Sequence, residues 1–233
     1  MALRLLPLVT GLLPIVAIHV SLLIAINAGA IPSCVPYVDG CVSISATGRY
    51  EPAVFLFKPA MTTEAALMAV YWLFGAAWLR ALSRSAGMQP GAAATVMPVV
   101  GIAGALALIV YVTFLGTQAP FYEFMRRFGI YFYFLFTVVA QIILATKAFQ
   151  LSKNLGLASV TKISSLQLWL ALSPVALGVL NIALKSTLEN ADSPENIIEW
   201  ISALAMHFIF VLTYFAWRDT NFSADWSVRL SRE

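Results

Sequence analysis

Charge is what this sequence has least of. Only 11% of its 233 residues are Asp, Glu, Lys or Arg, against about 25% in a soluble domain, and that shortage excludes an ordinary soluble fold. Cysteine and histidine occur twice each. Cys34 and Cys41 have no second Cys or His pair nearby, so they do not form a zinc module. There is no Walker loop, nucleophile elbow, HExxH helix or dinucleotide fingerprint. There is likewise no fixed-period repeat and no low-complexity run. No cofactor and no metal are expected.

What the chain has instead is apolar length. Sixty-one per cent of it is hydrophobic, and six stretches reach the roughly 20 residues that cross a bilayer. They lie at about 5–27, 62–83, 94–116, 129–150, 165–186 and 197–217. The expectation is an all-α integral membrane protein, a six-transmembrane-helix bundle forming a single domain over 1–233, with a polar tail at 218–233. Arg4, the first apolar run and Ala28-Gly29-Ala30 together imitate a signal peptide. The apolar core of about 22 residues exceeds the usual 7–15 of such a peptide, so a retained helix is expected.

The few charges are unevenly placed. With the N-terminus cytoplasmic, Arg4, Arg80, Arg84, Lys147, Lys153, Lys162, Arg218, Arg229 and Arg232 lie inside, and Arg49, Lys58, Arg126, Arg127 and Lys185 outside. The positive-inside rule favours that orientation. Both termini are then cytoplasmic, and the loop at about 28–61 is extracytoplasmic or lumenal. Of the acids, only Asp219, Asp225 and Glu233 fall inside. A basic cytoplasmic rim sits against anionic lipid and asks for no nucleic acid.

The loop at 28–61 is the longest connection, rich in turn formers and aromatics such as Pro32, Pro36, Tyr37, Gly40, Gly48, Tyr50 and Pro52. A loop of that length suits a cap or a functional segment. Cys34 and Cys41 both fall in it. Their spacing suits a small disulfide-closed loop in an oxidising compartment, two free thiols being the alternative. A second outer loop, Gln118 to Arg127, mixes aromatics with Glu123, Arg126 and Arg127. Gly101 and Gly104, three apart in the third span, do not make a helix-packing motif.

Polar residues inside the spans carry most of the information, because hydrocarbon penalises them. Helix rise puts His19 ~12 Å below the outer boundary, His207 ~15 Å, Asn181 ~8 Å and Gln141 ~18 Å. Glu64 and Glu199 fall at the outer mouths of their spans. The expectation is a polar cavity in the outer half of the bundle. His19 and His207 would flank it, and Glu199, Asn181, Glu123, Arg126 and Arg127 would line its mouth. A histidine moves protons near neutral pH, and paired arginines grip phosphate. His207, His19 and Glu199 are thus the candidate catalytic groups, and Glu123, Arg126, Arg127 and Asn181 candidate substrate ligands. Histidines bonded to neighbouring helices and arginines anchored at headgroups are the competing structural readings. A metal site built from His19, His207 and a carboxylate is disfavoured, because neither histidine has a ligating residue at i, i+4 spacing.

Three segments, in order, carry a resemblance. They are Cys34-Val35-Pro36-Tyr37 with Ser43-Ile44-Ser45-Ala46-Thr47-Gly48 and Pro52; the outer loop with Glu123; and Glu199-Trp200 followed by Trp217-Arg218-Asp219-Thr220-Asn221-Phe222. This order resembles the FRAG/DRAM/SFK-type six-span membrane family, whose members include a GPI-anchor lipid-remodelling factor and the damage-regulated autophagy modulators. The resemblance spans nearly the whole chain. It implies work on membrane lipids, and by position it points to Ser43, Ser45, Gly48, Glu123, Glu199 and Asp219, with Ser43 and Ser45 added to the substrate ligands. The histidine–arginine motif of the family's GPI branch is absent from the second span, where Ala65-Ala66-Leu67 and Tyr71-Trp72 stand.

Two functions follow as expectations. One is a membrane protein that binds and remodels a phospholipid, sphingolipid or GPI-like lipid at an outer-leaflet cavity; as an enzyme it would transfer or hydrolyse acyl groups. The other is a non-catalytic scaffold that stabilises or sorts a partner membrane protein through aromatics such as Phe121, Tyr122, Phe124 and Tyr131 to Phe134. A channel or transporter fits less well, because no inverted repeat and no mid-span charge is visible.

Overall fold

Six long helices form a ring in chain order. A computed structural model describes residues 2–223. Asp225, Arg229, Arg232 and Glu233 of the expected tail lie outside the described residues. The helices are α1 (Ala2–Asn27), α2 (Pro36–Asp39), α3 (Ile44–Thr47), α4 (Val54–Ser85), α5 (Ala93–Thr113), α6 (Pro120–Asn154), α7 (Ala158–Thr187) and α8 (Asp192–Asp219), and no strand occurs among the described residues. The six long ones are each apolar enough to cross a membrane, so the chain is an integral membrane protein. Each packs on its sequence neighbour, and α1 closes the ring against α8. The end bearing residues 28–53 is called the loop end here, and the other the turn end.

Two helices start well before their apolar runs. α4 begins at Val54 and α6 at Pro120, eight and nine residues ahead of the expected 62 and 129. In α6, Pro120 takes the first-turn position and Glu123 sits in the first turn, a favourable start chemically. Glu123, Arg126 and Arg127 therefore lie on a helix and not in the expected loop.

In hydrocarbon, apolar burial drives helix association little; close packing and interhelical hydrogen bonds decide it. Glycine supplies the close packing. A Cβ on Gly11 would meet Val211 and the His207 carbonyl at 2.7 and 2.8 Å, and one on Gly101 would run into the Trp72 ring. Gly104 lies against Thr137 and Gly129 against the Tyr111 backbone. Gly101 and Gly104 are thus packing glycines, contrary to the expectation, because their partners sit on different helices. The core between the helices holds the aromatic cluster of Tyr71, Trp72, Phe210 and Trp217. Hydrogen bonds cross it from Tyr71 to Thr213, from Gln141 to the Met206 carbonyl, and from Gln167 to Ile209 and Thr213.

Prolines inside helices strand carbonyls, which a side chain must satisfy where water is scarce. Pro98 leaves the Ala94 carbonyl free, and Arg80 Nη2 donates to it at 2.9 Å. Pro174 leaves Leu170 free, and Ser173 Oγ donates there at 2.8 Å.

The connection 28–53 folds as a cap on the loop end. A Cys34–Cys41 disulfide closes it around α2. Gly40 adopts φ +60°, and a Cβ there would collide with the Ser193 carbonyl of α8, so both conformation and space require glycine. α8 fastens the cap: Asn196 Nδ2 donates to the Gly40 carbonyl at 2.8 Å and Trp200 Nε1 to that of Val42 at 2.9 Å.

Candidate functional site

Beneath this cap, at the loop end, a cavity of about 970 Å³ opens between α6, α7 and α8. Three helical stripes wall it. α6 contributes Arg126, Arg127, Ile130, Tyr131, Phe134, Val138 and Ile142; α7 contributes Pro174, Val175, Gly178, Val179, Asn181, Ile182 and Lys185; α8 contributes Glu195, Asn196, Ile198, Glu199 and Ser202. Ser43 and Ser45 from the cap and Tyr111 from α5 complete it. The polar groups gather toward the loop end and the apolar ones deeper, so the cavity is amphipathic along the helix axes.

The width comes from α7. Its turn-end half buries Val160, Ser164, Gln167 and Ala171, whereas no residue beyond Ala171 is buried. Pro174 removes a backbone bond at that boundary, and Gly178 adds no side chain to fill the gap. The crevice between α6 and the upper half of α7 therefore faces laterally, where acyl chains run.

Its electrostatics are set by a few groups. The Arg126 side chain is only 17% exposed and stands 3.8 Å from Glu123, whereas Arg127 is 62% exposed and pairs with Glu123 at 2.6 Å. Glu123 thus neutralises Arg127 at the rim and leaves Arg126 directed inward, in electrostatic range of Glu199 and Tyr111. Glu199 lines the cavity together with Ser43 and Ser45 of the cap. Ser43 and Ser45 share a hydrogen bond at 3.1 Å, and Arg49 reaches Ser45 at 3.5 Å. Lys185 and Glu195 pair across the mouth at 2.7 Å. The Asn181 amide oxygen is buried without a partner. The donors Arg126, Lys185, Ser43 and Ser45 suit a phosphate, and the Asn181 oxygen suits a hydroxyl of a polyhydroxylated head.

Of the residues expected from sequence, Ser43, Ser45, Arg126, Arg127, Asn181 and Glu199 meet in this cavity, and Glu123 supports it from the rim. The histidines do not belong to it. His19 Nδ1 lies 2.6 Å from the Ile15 carbonyl, which only accepts, so it carries the proton and Nε2 accepts from Tyr37 at 3.0 Å. Its ring packs on Tyr37 and Trp200, a latch for the cap, and burial holds the Tyr37 hydroxyl above its usual pKa. His207 is buried, with Nδ1 on the Ala203 carbonyl at 2.6 Å and Nε2 on Tyr133 at 3.1 Å. Neither imidazole lines this cavity: each is engaged on its own helix and on a tyrosine. Gly48 packs under Phe57. Asp219 ties α8 to Ser159 at the turn end. Gln141 is a helix–helix bond.

Sequence reasoning missed Tyr111, Lys185, Glu195, Asn196 and Ser202. The signal was present on α8, where 195, 199 and 202 repeat at helical spacing along one face. It also misplaced Glu64, which is fully buried inside α4 and not at a mouth.

Comparison with curated proteins and with solved structures yields no match. The profile of one protein family, described as the Frag1/DRAM/Sfk1/Cwh43P N-terminal domain, matches residues 2–220, from the first turn of α1 to just past α8. With six spans, a disulfide-closed cap and a match over nearly every described residue, the chain belongs to the Frag1/DRAM/Sfk1/Cwh43P N-terminal domain family.

Proposed function

We propose that the protein binds a membrane lipid with an anionic headgroup in the cavity between α6, α7 and α8. The head sits at the loop end against Arg126, Asn181 and the serines of the cap, and an acyl chain runs down the wall of Phe134, Val138 and Ile142 beside Val175 and Val179. The observation that carries this reading is the amphipathic lining of a laterally open cavity of about 970 Å³, within the range of small-ligand sites. With the basic turn end in the cytoplasm, the cavity serves the extracytoplasmic leaflet.

Binding is favoured over turnover because no imidazole opens on the cavity. Both histidines are engaged elsewhere. Phospholipid, sphingolipid and GPI-like heads share the phosphate or polyol chemistry that this donor set recognises.

The test is lipid analysis of the full-length protein purified in mild detergent. The reading expects stoichiometric co-purified anionic lipid, displaced by a bulky substitution such as Val179→Trp. Protein that carries no lipid, or carries a stoichiometric partner protein with the same yield in Val179→Trp, overturns it in favour of a scaffold.

A further inference from the structure

A second cavity lies at the opposite end of the bundle, and a difference in helix length makes room for it. α5 has 21 residues, whereas its ring neighbours α4 and α6 have 32 and 35. Gly101 packs on Trp72 of α4, Gly104 packs on Thr137 of α6, and Arg80 of α4 reaches the Ala94 carbonyl. Those contacts set the start of α5 level with about residue 80 of α4 and about residue 148 of α6. α4 and α6 therefore run past it by about five and six residues, ~8–9 Å. The shortfall leaves a notch of about 420 Å³ in the ring wall at the turn end. The connection 86–92 crosses the notch without filling it, and Met88, Gln89 and Gly91 form part of its lining.

The lining is basic and holds no acid. Lys147, Gln150, Lys153 and Asn154 of α6 border the notch, and no carboxylate among the described residues does. Lys147, Gln150 and Asn154 share one helix face at i, i+3 and i+7. Lys147 Nζ donates to Gln150 Oε1 at 3.0 Å, which holds the ammonium beside the amide and leaves Gln150 Nε2 as a donor. Neither Lys147 nor Lys153 takes part in an ion pair among the described residues. At this end of the bundle Arg4, Arg80, Arg84, Lys147, Lys153, Lys162 and Arg218 stand against a single described acid, Asp219. Asp219 is taken up by Ser159 at 2.5 Å and by Arg218 at 3.1 Å. Unbalanced cations on the wall of a concave, low-dielectric site concentrate positive potential in it.

We propose that the notch is a second anion site, which takes a phosphate ester on Lys147, Lys153 and the Gln150 amide. Because α5 belongs to the ring wall, the gap below it opens toward the headgroups around the bundle. A phospholipid head in the leaflet at the turn end reaches it laterally, and a soluble phosphate ester reaches it from water. With the turn end in the cytoplasm, that leaflet is the cytoplasmic one. The notch has less than half the volume of the larger cavity and shares no lining residue with it. It therefore holds a head alone, with any acyl chains left outside the bundle.

The test uses full-length protein in mild detergent and a phosphatidylethanolamine whose amine carries a benzoylbenzoyl photolabel, so that the phosphate is the only charge of the head. Adducts should map to the peptides spanning 79–94 and 147–154, and dioleoylphosphatidylglycerol should compete for them far better than dioleoylphosphatidylcholine. Lys147→Gln and Lys153→Gln should each cut this labelling about fivefold. Lys162→Gln removes the same charge from the same end but outside the notch, and should leave the labelling unchanged. All three lysines are exposed, so the variants keep the fold. Adducts absent from those peptides, labelling that neither notch variant reduces, or an equal loss in Lys162→Gln overturns the proposal, the last in favour of general attraction to a basic rim. Glycerol 3-phosphate assigns the source. Displacement by it as well as by phosphatidylglycerol makes the ligand a soluble ester, displacement by the lipid alone makes it a lipid head, and displacement by neither overturns the site. Labelling of the larger cavity is read separately on peptides spanning 126–142 and 175–202, so failure of one site is distinguishable from failure of the other.

Discussion

Arg126 and Arg127 are adjacent and chemically identical, yet the cavity gives them unequal weight. Arg127 is 62% exposed and already paired with Glu123 at 2.6 Å, whereas Arg126 is 17% exposed and stands 3.8 Å from the same carboxylate. A hydrogen bond to a charged group in a sheltered site contributes about 1.5–3 kcal/mol. Arg126→Gln should therefore weaken binding of an anionic lipid by roughly 10- to 150-fold, at a tenfold change per ~1.4 kcal/mol. The loss also leaves Glu199 and Glu195 on the cavity wall with less compensating charge, which adds repulsion toward a phosphate. Arg127→Gln removes an exposed pair contributing about 0.2–1 kcal/mol, so the expected loss is about fivefold at most. Competition of a fluorescent phospholipid by anionic and zwitterionic lipids, with both variants in nanodiscs, measures the difference. Equal losses for the two variants, or full affinity in Arg126→Gln, would refute the placement of the headgroup.

Three further outcomes follow from the same geometry. Cys34→Ser or Cys41→Ser opens the loop around α2 and should cost about 2.5 kcal/mol, read as a lower melting temperature that reductant reproduces in the wild type. Gly101→Val drives a side chain into the Trp72 ring and should cost about 1–3 kcal/mol or prevent assembly; a wild-type melting curve would contradict the α4–α5 contact. His207→Asn breaks the bond to Tyr133 and should lower stability by about 1–3 kcal/mol while leaving lipid affinity unchanged, because His207 does not line the cavity.

Hydropathy made the six spans legible, since each is a long apolar run with few interruptions. The starts of α4 and α6 were not legible. Val54–Met61 and Pro120–Phe128 mix charge and proline with aromatics, and a hydropathy window reads such segments as interfacial loop. That shift of eight residues is also why Glu64 reads as a mouth residue when it is buried. Depth alone placed His19 and His207 at similar levels, yet depth says nothing about which way a helix face points. Their partners, Tyr37 and Tyr133, lie 18 and 74 residues away in sequence. The polar half of the cavity was readable in Arg126, Asn181 and Glu199 because such residues are scarce near spans, and in Ser43 and Ser45 only through the family resemblance. The apolar half was not, because an apolar residue facing a cavity and one facing lipid look the same in a sequence.

The central claim is that a lipid chain occupies the crevice between α6 and α7. Photo-crosslinking with a phospholipid carrying a photoactivatable acyl chain, followed by peptide mapping of the adducts, tests it most directly. The account predicts adducts concentrated on Val138, Val139 and Ile142 of α6 and on Val175 and Val179 of α7. Adducts spread over outward-facing residues such as Val16, Val99 and Phe124, with the crevice residues unlabelled, would contradict it.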